Sequence, residues 1–374
     1  MADIKQMGNR KKILVAGHLC LDIIPDLSMG KPLHELKPGS LSMIGPVQTA
    51  TGGVVSNTGL ALHHLGESVR LVAKLGQDEF GELIRNKFMA VSPRLSEHFI
   101  FDSLTHTSYT LVLSPPNQDR HFLHHPGAND TLLASDIPES AFADINLMHF
   151  GYPPLLAAMA ANGGAELSTL FGRAKAAGLI TSLDMAGVDP DSVAGRVDWL
   201  ALLEKTLPNV DIFMPSLDEV SFMLGETIAQ EVPQLKDLRR ISQQLLDYGA
   251  GIVVLKLGEY GLYLRSSSDF EKLASLEQLN QNPKNWLNIE QTQPCFEVNP
   301  IGTTGAGDST IAGFLAAFSR GLDPKTCLLM ASGVGACNVE AIDALSGLRS
   351  WDETYDRIEK GWKLSPKQIN GELS

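Results

Sequence analysis

Cysteine is scarce in this chain, and the scarcity is informative. Among 374 residues there are four, Cys20, Cys295, Cys327 and Cys337, with no C-x-x-C pair among them. Neither a disulfide framework nor a cysteine-based metal site is therefore expected to organise the fold. Long apolar runs are missing too. The run near the start, Ile13 to Leu21, is interrupted by His18 and stopped by Asp22, too short for a bilayer and without the small-x-small pattern of a cleaved signal. A cytoplasmic protein with no membrane segment is the expectation. Basic residues are in deficit, with 30 Lys plus Arg against 43 Asp plus Glu and a net charge of -13. Such a charge repels a phosphate backbone and disfavours nucleic-acid binding. There is no run of like charges and no repeat of 20 to 50 residues. What is abundant is apolar material, 44% of the chain, enough for a large core.

That material is arranged in a β-then-α rhythm. Ile13 to Gly17 reads as a strand buried on both faces. Asn57 to Leu65 has helical spacing with Gly66 as a stop, and Val69 to Ala73 follows as a strand. Leu167 to Ala177, Gly178 and Leu179 to Leu183 repeat the pattern, as do Leu235 to Tyr248, Gly249 and Ile252 to Leu257. Such alternation predicts a mostly parallel sheet covered by helices. Two stretches break it, 31–50, rich in Pro, Gly and Ser, and 107–123, which alternates around Pro115-Pro116-Asn117-Gln118 as a hairpin does. Together they are expected to form a small β lid. The polar segment 266–293 is expected as a surface insertion.

The chemistry concentrates in Gly302-Thr303-Thr304-Gly305-Ala306-Gly307-Asp308-Ser309-Thr310, which leads into the apolar helix Ile311 to Phe318. Glycines let backbone N–H groups converge at a helix start, where the dipole favours an anion. The spacing of Gly302, Gly307 and Ser309 fits a phosphate loop, but Asp308 stands where that loop has Lys. A carboxylate among phosphates is useful when it takes a proton from an incoming nucleophile. Asp308 then reads as a general base, with the amides of Gly305, Ala306 and Gly307 as the anion hole. The bland alternative is an ordinary glycine-rich helix start with Asp308 as its cap.

This loop resembles the G-A-G-D signature of the ribokinase-like (PfkB-type) carbohydrate kinases, and other segments resemble that family in the same order. They are Val15-Ala16-Gly17 through Asp22, Gly52-Gly53 with Asn57, Gly76-Gln77-Asp78-Glu79-Phe80-Gly81, Gly127-Ala128-Asn129, Pro215-Ser216-Leu217-Asp218-Glu219, and Lys256-Leu257-Gly258-Glu259-Tyr260-Gly261. The resemblance implies a three-layer α/β/α sandwich over 10–365 with a mostly parallel central sheet. It implies ATP-dependent phosphorylation of a hydroxymethyl group of a sugar or nucleoside, with Mg²⁺, and a homodimer formed through the lid. Asp22, Gly52, Gly53 and Asn57 would bind the acceptor. Lys256, Gly258, Gly261, Thr304 and Asn338 would lie at the nucleotide, and Glu219 would reach the metal through water.

Two departures carry their own expectations. Gly302 replaces the Asp that contributes to the family's monovalent-cation site, which speaks against potassium activation. Ser216 replaces the Asn of the N-x-x-E motif, and Ser216 with Glu219 is itself a capping box. No Arg follows Asp184 at Met185 or Ala186, which tells against a pre-phosphorylated sugar. The alternatives are a catalytically weakened ligand-binding or regulatory protein of this fold, and a kinase of a vitamin-like alcohol. His63-His64 lacks helical metal spacing, and so does His124-His125, the pair expected nearer the acceptor. Tyr152 and Trp286 read as packing residues.

Overall fold

Ile13, Leu14, Val15 and Ala16 are fully buried, as a strand sandwiched between two layers requires. Alternation sends Ile13 and Val15 into one apolar cluster and Leu14 and Ala16 into another on the opposite face. The computed structural model describes residues 11–29, 35, 37–115, 121–226, 231–279 and 281–371. Its first half runs β1 (Lys12–Gly17), β2 (Cys20–Pro25), β3 (Val47–Gly52), α1 (Val54–His64), β4 (Ser68–Val72), β5 (Lys74–Gly76), α2 (Glu79–Val91), β6 (Ile100–Asp102), β7 (Tyr109–Leu113) and β8 (His121–His125). Then come β9 (Leu147–Gly151), α3 (Ala157–Ala176, broken at 161–164), β10 (Ile180–Leu183), α4 (Trp199–Thr206), β11 (Ile212–Phe213), α5 (Leu217–Met223) and α6 (Leu235–Asp247). The chain continues through β12 (Ile252–Lys256), β13 (Leu262–Ser266), α7 (Phe270–Leu273), β14 (Glu290–Gln293), α8 (Ala306–Ser319), α9 (Pro324–Asn338) and α10 (Trp351–Glu359).

The central sheet has the order β14-β13-β12-β11-β10-β9-β1-β4. From β12 to β4 every pairing is parallel, while β13 and β14 add antiparallel strands at one edge. Helices α1, α8, α9 and α10 contribute to the cluster on one face, and α3, α4 and α6 to the other. The expected three-layer α/β/α sandwich is present. Because the parallel strands share a direction, the turns after β1, β9, β10, β11 and β12 open at one edge, where ligands bind in such sheets.

Two expectations need correction. The lid is a four-stranded sheet, β3-β2-β7-β8, so it includes β2, which lies outside the two segments expected to form it. Asp22 consequently sits in the lid, paired in register with Ala50 and Thr110, and not at the end of a central strand. Within the expected lid segments, 31–34, 36 and 116–120 lie outside the described residues. The segment 266–293 is more than a surface insertion, since Leu273, Leu276, Leu279 and Trp286 are fully buried in the main core and β14 completes the sheet.

Candidate active site

Five of the parallel strands deliver a polar side chain at or just beyond their ends. After β1 comes His18, after β9 Tyr152, and after β10 Asp184; Ser216 to Glu219 follow β11, and Lys256 closes β12. Helix α8 points its N-terminus at this edge. Its cap, Gly305, has φ 72, a left-handed backbone where a side chain is strained, and a Cβ there would come within 2.6 Å of Ala344 Cβ.

Asp308 is the third residue of α8 and is 4% exposed. Its carboxylate caps nothing, because it is consumed by three side chains from elsewhere. Asn57 Nδ2 and the Tyr152 hydroxyl donate to Oδ2 at 3.0 and 2.8 Å, and Thr58 Oγ1 donates to Oδ1 at 3.1 Å. Burial raises the Asp308 pKa, opposed by those donors and by the Lys256 charge. A buried carboxylate with raised basicity at a helix N-terminus suits proton abstraction beside an anion. Of the amides expected to hold that anion, Ala306 N–H donates to Thr303 O at 3.2 Å, while Gly307 lies in the first turn, where helical amides lack an internal acceptor.

Lys256 is the nearest cation. Its Nζ donates to Asp184 Oδ1 at 2.7 Å, the carboxylate buried and the lysine nearly so, and a Cβ on Gly307 would lie 3.6 Å from that Nζ. Burial works to lower the Lys256 pKa, but Asp184, with Glu219 and Asp308, holds the ammonium above its usual value. Burial pushes the Asp184 carboxyl up, and the ammonium pulls it back. Glu219 forms the expected capping box, accepting from Ser216 N–H at 2.6 Å through Oε2 while Ser216 Oγ accepts from Glu219 N–H at 3.2 Å.

Beside this cluster lies a cavity of about 520 Å³. Lys256, Gly258, Gly261, Ala306 and Gly307 line one side, and Leu262, Val298, Pro300, Ala336 and Val339 provide an apolar wall. Three of the five residues expected at a nucleotide, Lys256, Gly258 and Gly261, are therefore on this cavity. Thr304 and Asn338 are not among its lining residues. Asn338 is buried, and its Nδ2 donates to Ala344 O at 2.6 Å, holding the turn after α9.

On the other side of Asp308 the lid approaches. Asp22 Oδ1 accepts from Cys20 Sγ at 3.5 Å, and burial pushes the Asp22 pKa up to about 6. Gly52 lies against Asp22, where a Cβ would meet Oδ2 at 2.6 Å. Asn57, expected at the acceptor, instead spends its Nδ2 on Asp308 and leaves Oδ1 buried without a partner. Tyr152, expected to be a packing residue, has φ 65 directly after β9, and its hydroxyl donates to Asp308, 156 residues away. A family model described as pfkB family carbohydrate kinase matches residues 10–351.

The chain belongs to the pfkB family of carbohydrate kinases. Among its relatives, a nucleoside kinase of Methanothermobacter thermautotrophicus is 24% identical over 96% of this chain and 99% of its own length. A fructokinase of Oryza sativa is 25% identical over 80% of this chain and 77% of its own. An Arabidopsis thaliana ribokinase solved with ribose and ATP covers 93% of this chain and 98% of its own, at 18% identity and a TM-score of 0.72. These agree with the fold and with kinase activity as a class. The pfkB kinase described here has no helix among its described residues long and apolar enough to cross a membrane. Nor do those residues contain a cluster of three or more His, Cys, Asp or Glu that could hold a metal.

Proposed function

We propose that this protein transfers the terminal phosphoryl group of ATP, carried as its Mg²⁺ complex, to a hydroxymethyl group of a sugar or nucleoside. The observation that carries the reading is the position of Asp308, a buried carboxylate between the lid site and the 520 Å³ cavity at the N-terminus of α8. The base and ribose of the nucleotide fit the apolar wall, with the phosphates toward Lys256 and Gly307. Asp308 takes the proton of the acceptor hydroxyl as its oxygen attacks phosphorus and the bond to the leaving ADP oxygen breaks. Lys256 and the first-turn amides of α8 stabilise the charge on the transferring group. Glu219 Oε1, not used in the capping box, would reach the water shell of a Mg²⁺ carried by the nucleotide, and Gly302 brings no carboxylate to a monovalent cation. The lid closes over the acceptor and excludes water. A second copy covering the lid would also cover the exposed Phe122 and Leu123 of β8.

Coupled ADP release over a panel of sugars and nucleosides, with nucleotide binding measured in parallel, tests this reading. Binding of both ligands without turnover would return the protein to a regulatory role.

Two further results are expected. Asp22 would accept acceptor hydroxyls as its carboxylate. With a pKa near 6, acceptor KM should be about tenfold higher near pH 5 than above pH 7, with nucleotide KM unaffected, and Asp22→Asn should flatten that dependence. The sign for stability is opposite: the folded carboxyl binds its proton more tightly than the unfolded one, so this group favours folding in acid and loses that effect as pH rises from 3.8 through about 6. Tyr152→Phe removes a donor that lowers the Asp308 pKa. The acid limb of the kcat/KM profile should move to higher pH, with kcat at neutral pH falling about tenfold; an unmoved limb would make Tyr152 a packing residue after all.

A further inference from the structure

His18 is the most unusual side chain near the site. It is 2% exposed, and neither ring nitrogen has a hydrogen-bond partner. Leaving a buried polar atom unpaired costs stability, so native structures rarely do so without a reason. The residue is held firmly all the same. Its amide donates to Gly151 O at 3.5 Å, its carbonyl accepts from Val55 N–H at 3.2 Å, and Asn129 clamps the neighbouring Leu19 through both its side-chain atoms. Gly53, at φ 92, leaves room for the ring, since a Cβ there would meet His18 Nδ1 at 2.4 Å.

The ring lies between the catalytic base and the lid. It stacks on Tyr152 at 6.0 Å between centroids, and Tyr152 is bonded to Asp308; on its other side it meets His124 of β8 at 5.3 Å. His124 in turn shares a hydrogen bond with Thr110, whose lid position is paired with that of Asp22. Burial, with His124 adding to it, lowers the His18 pKa to about 3, so the imidazole is neutral and offers one donor and one acceptor. The carboxylates reached through these contacts are Asp22, paired with Thr110, and Asp308, bonded to Tyr152. Among the described residues no Lys or Arg bonds or ion-pairs with His18, Asp22 or His124.

We propose that His18 is a specificity-determining residue of the acceptor site, whose unpaired ring nitrogens bind hydroxyl groups of an uncharged acceptor, a neutral sugar or nucleoside in preference to a sugar acid or sugar phosphate. The inference deepens the kinase reading and rests on it for the place of the acceptor. The neutral imidazole both gives and takes a hydrogen bond, as a hydroxyl requires, whereas an anion beside Asp22 would meet a carboxylate that no Lys or Arg among the described residues neutralises.

The test is calorimetric binding and steady-state kinetics on the full chain, using a neutral ketohexose, a nucleoside, a hexose phosphate and an aldonic acid. At least one neutral compound should bind more tightly than both anions. His18→Leu should keep or raise the melting temperature, because it removes unpaired buried nitrogens, and leave nucleotide affinity unchanged, yet raise acceptor Kd about tenfold or more. His18→Asn, which restores a donor and an acceptor, should recover part of that loss and serves if the leucine variant misfolds. An anion binding more tightly than the neutral compounds, or acceptor Kd within about threefold of wild type in both variants, overturns the proposal. Acceptor binding that depends on His18 without any ADP release defeats the kinase reading and leaves this one standing.

Discussion

Asp308→Asn is expected to lower kcat by ~10²–10⁴, a barrier increase of roughly 3 to 5 kcal/mol, while the protein stays folded. The geometry says why the two readouts should separate. The asparagine carbonyl can take the Oδ2 position and keep accepting from Tyr152 and Asn57, and its amide can face Thr58 Oγ1, which turns from donor to acceptor. What disappears is the basic oxygen and one buried negative charge. Nucleotide affinity should hold or improve slightly, since a charge that repels phosphate has gone. Had Asp308 been a helix cap, asparagine would have served about as well and the substitution would be almost silent. Its place in the third position of α8, with no cap bond, removes that alternative in structural terms. The measurement is kcat with melting temperature on the purified variant; retention of more than about a tenth of wild-type kcat would mean the proton leaves by another route.

The loop around Asp308 was legible because its chemistry is local, a run of glycines next to an apolar helix. The central sheet was legible for a similar reason. Strands such as Ile13 to Ala16 are buried on both faces, and β4, β10 and β12 are each preceded by a helix that ends at a glycine, so composition alone marks them. The lid strand β2 was not, because only His18 and Leu19 separate it from β1 and its apolar residues extend the same run. The role of Tyr152 left no local trace either. It depends on one left-handed residue after Gly151 and on a partner far along the chain, and neither has a spacing to read. Asn57 was expected at the acceptor by resemblance, while its contact with Asp308 is decided only by packing of α1 against α8.

The segment 266–293 misled for a different reason, and it supplies the second large expectation. Its polar composition made it look solvated, but Leu273, Leu276 and Leu279 recur every third residue, the spacing that puts one face of a short 3₁₀ turn against a core. That face and Trp286 are fully buried. The Trp286 ring meets Phe314 and Phe318 of α8 edge-on, at 6.2 and 5.1 Å between centroids, and its Nε1 donates to Gln281 Oε1 at 2.9 Å. Gln281 Nε2 then donates to Phe318 O and Leu322 O, so the segment fixes the C-terminal end of the helix whose first turn carries Asp308. Trp286→Ala should therefore cost about 3–5 kcal/mol of stability. At an unfolding entropy of about 2.1 cal/mol/K per residue, this is a fall of roughly 4–6 °C in melting temperature. Trp286→Phe keeps most of the volume and loses one hydrogen bond, so about 1–2 kcal/mol is expected. Chemical denaturation of the two variants beside wild type measures both. A surface insertion would give changes within about 0.5 kcal/mol for either substitution, and that result would detach the segment from the core that holds the helix carrying Asp308.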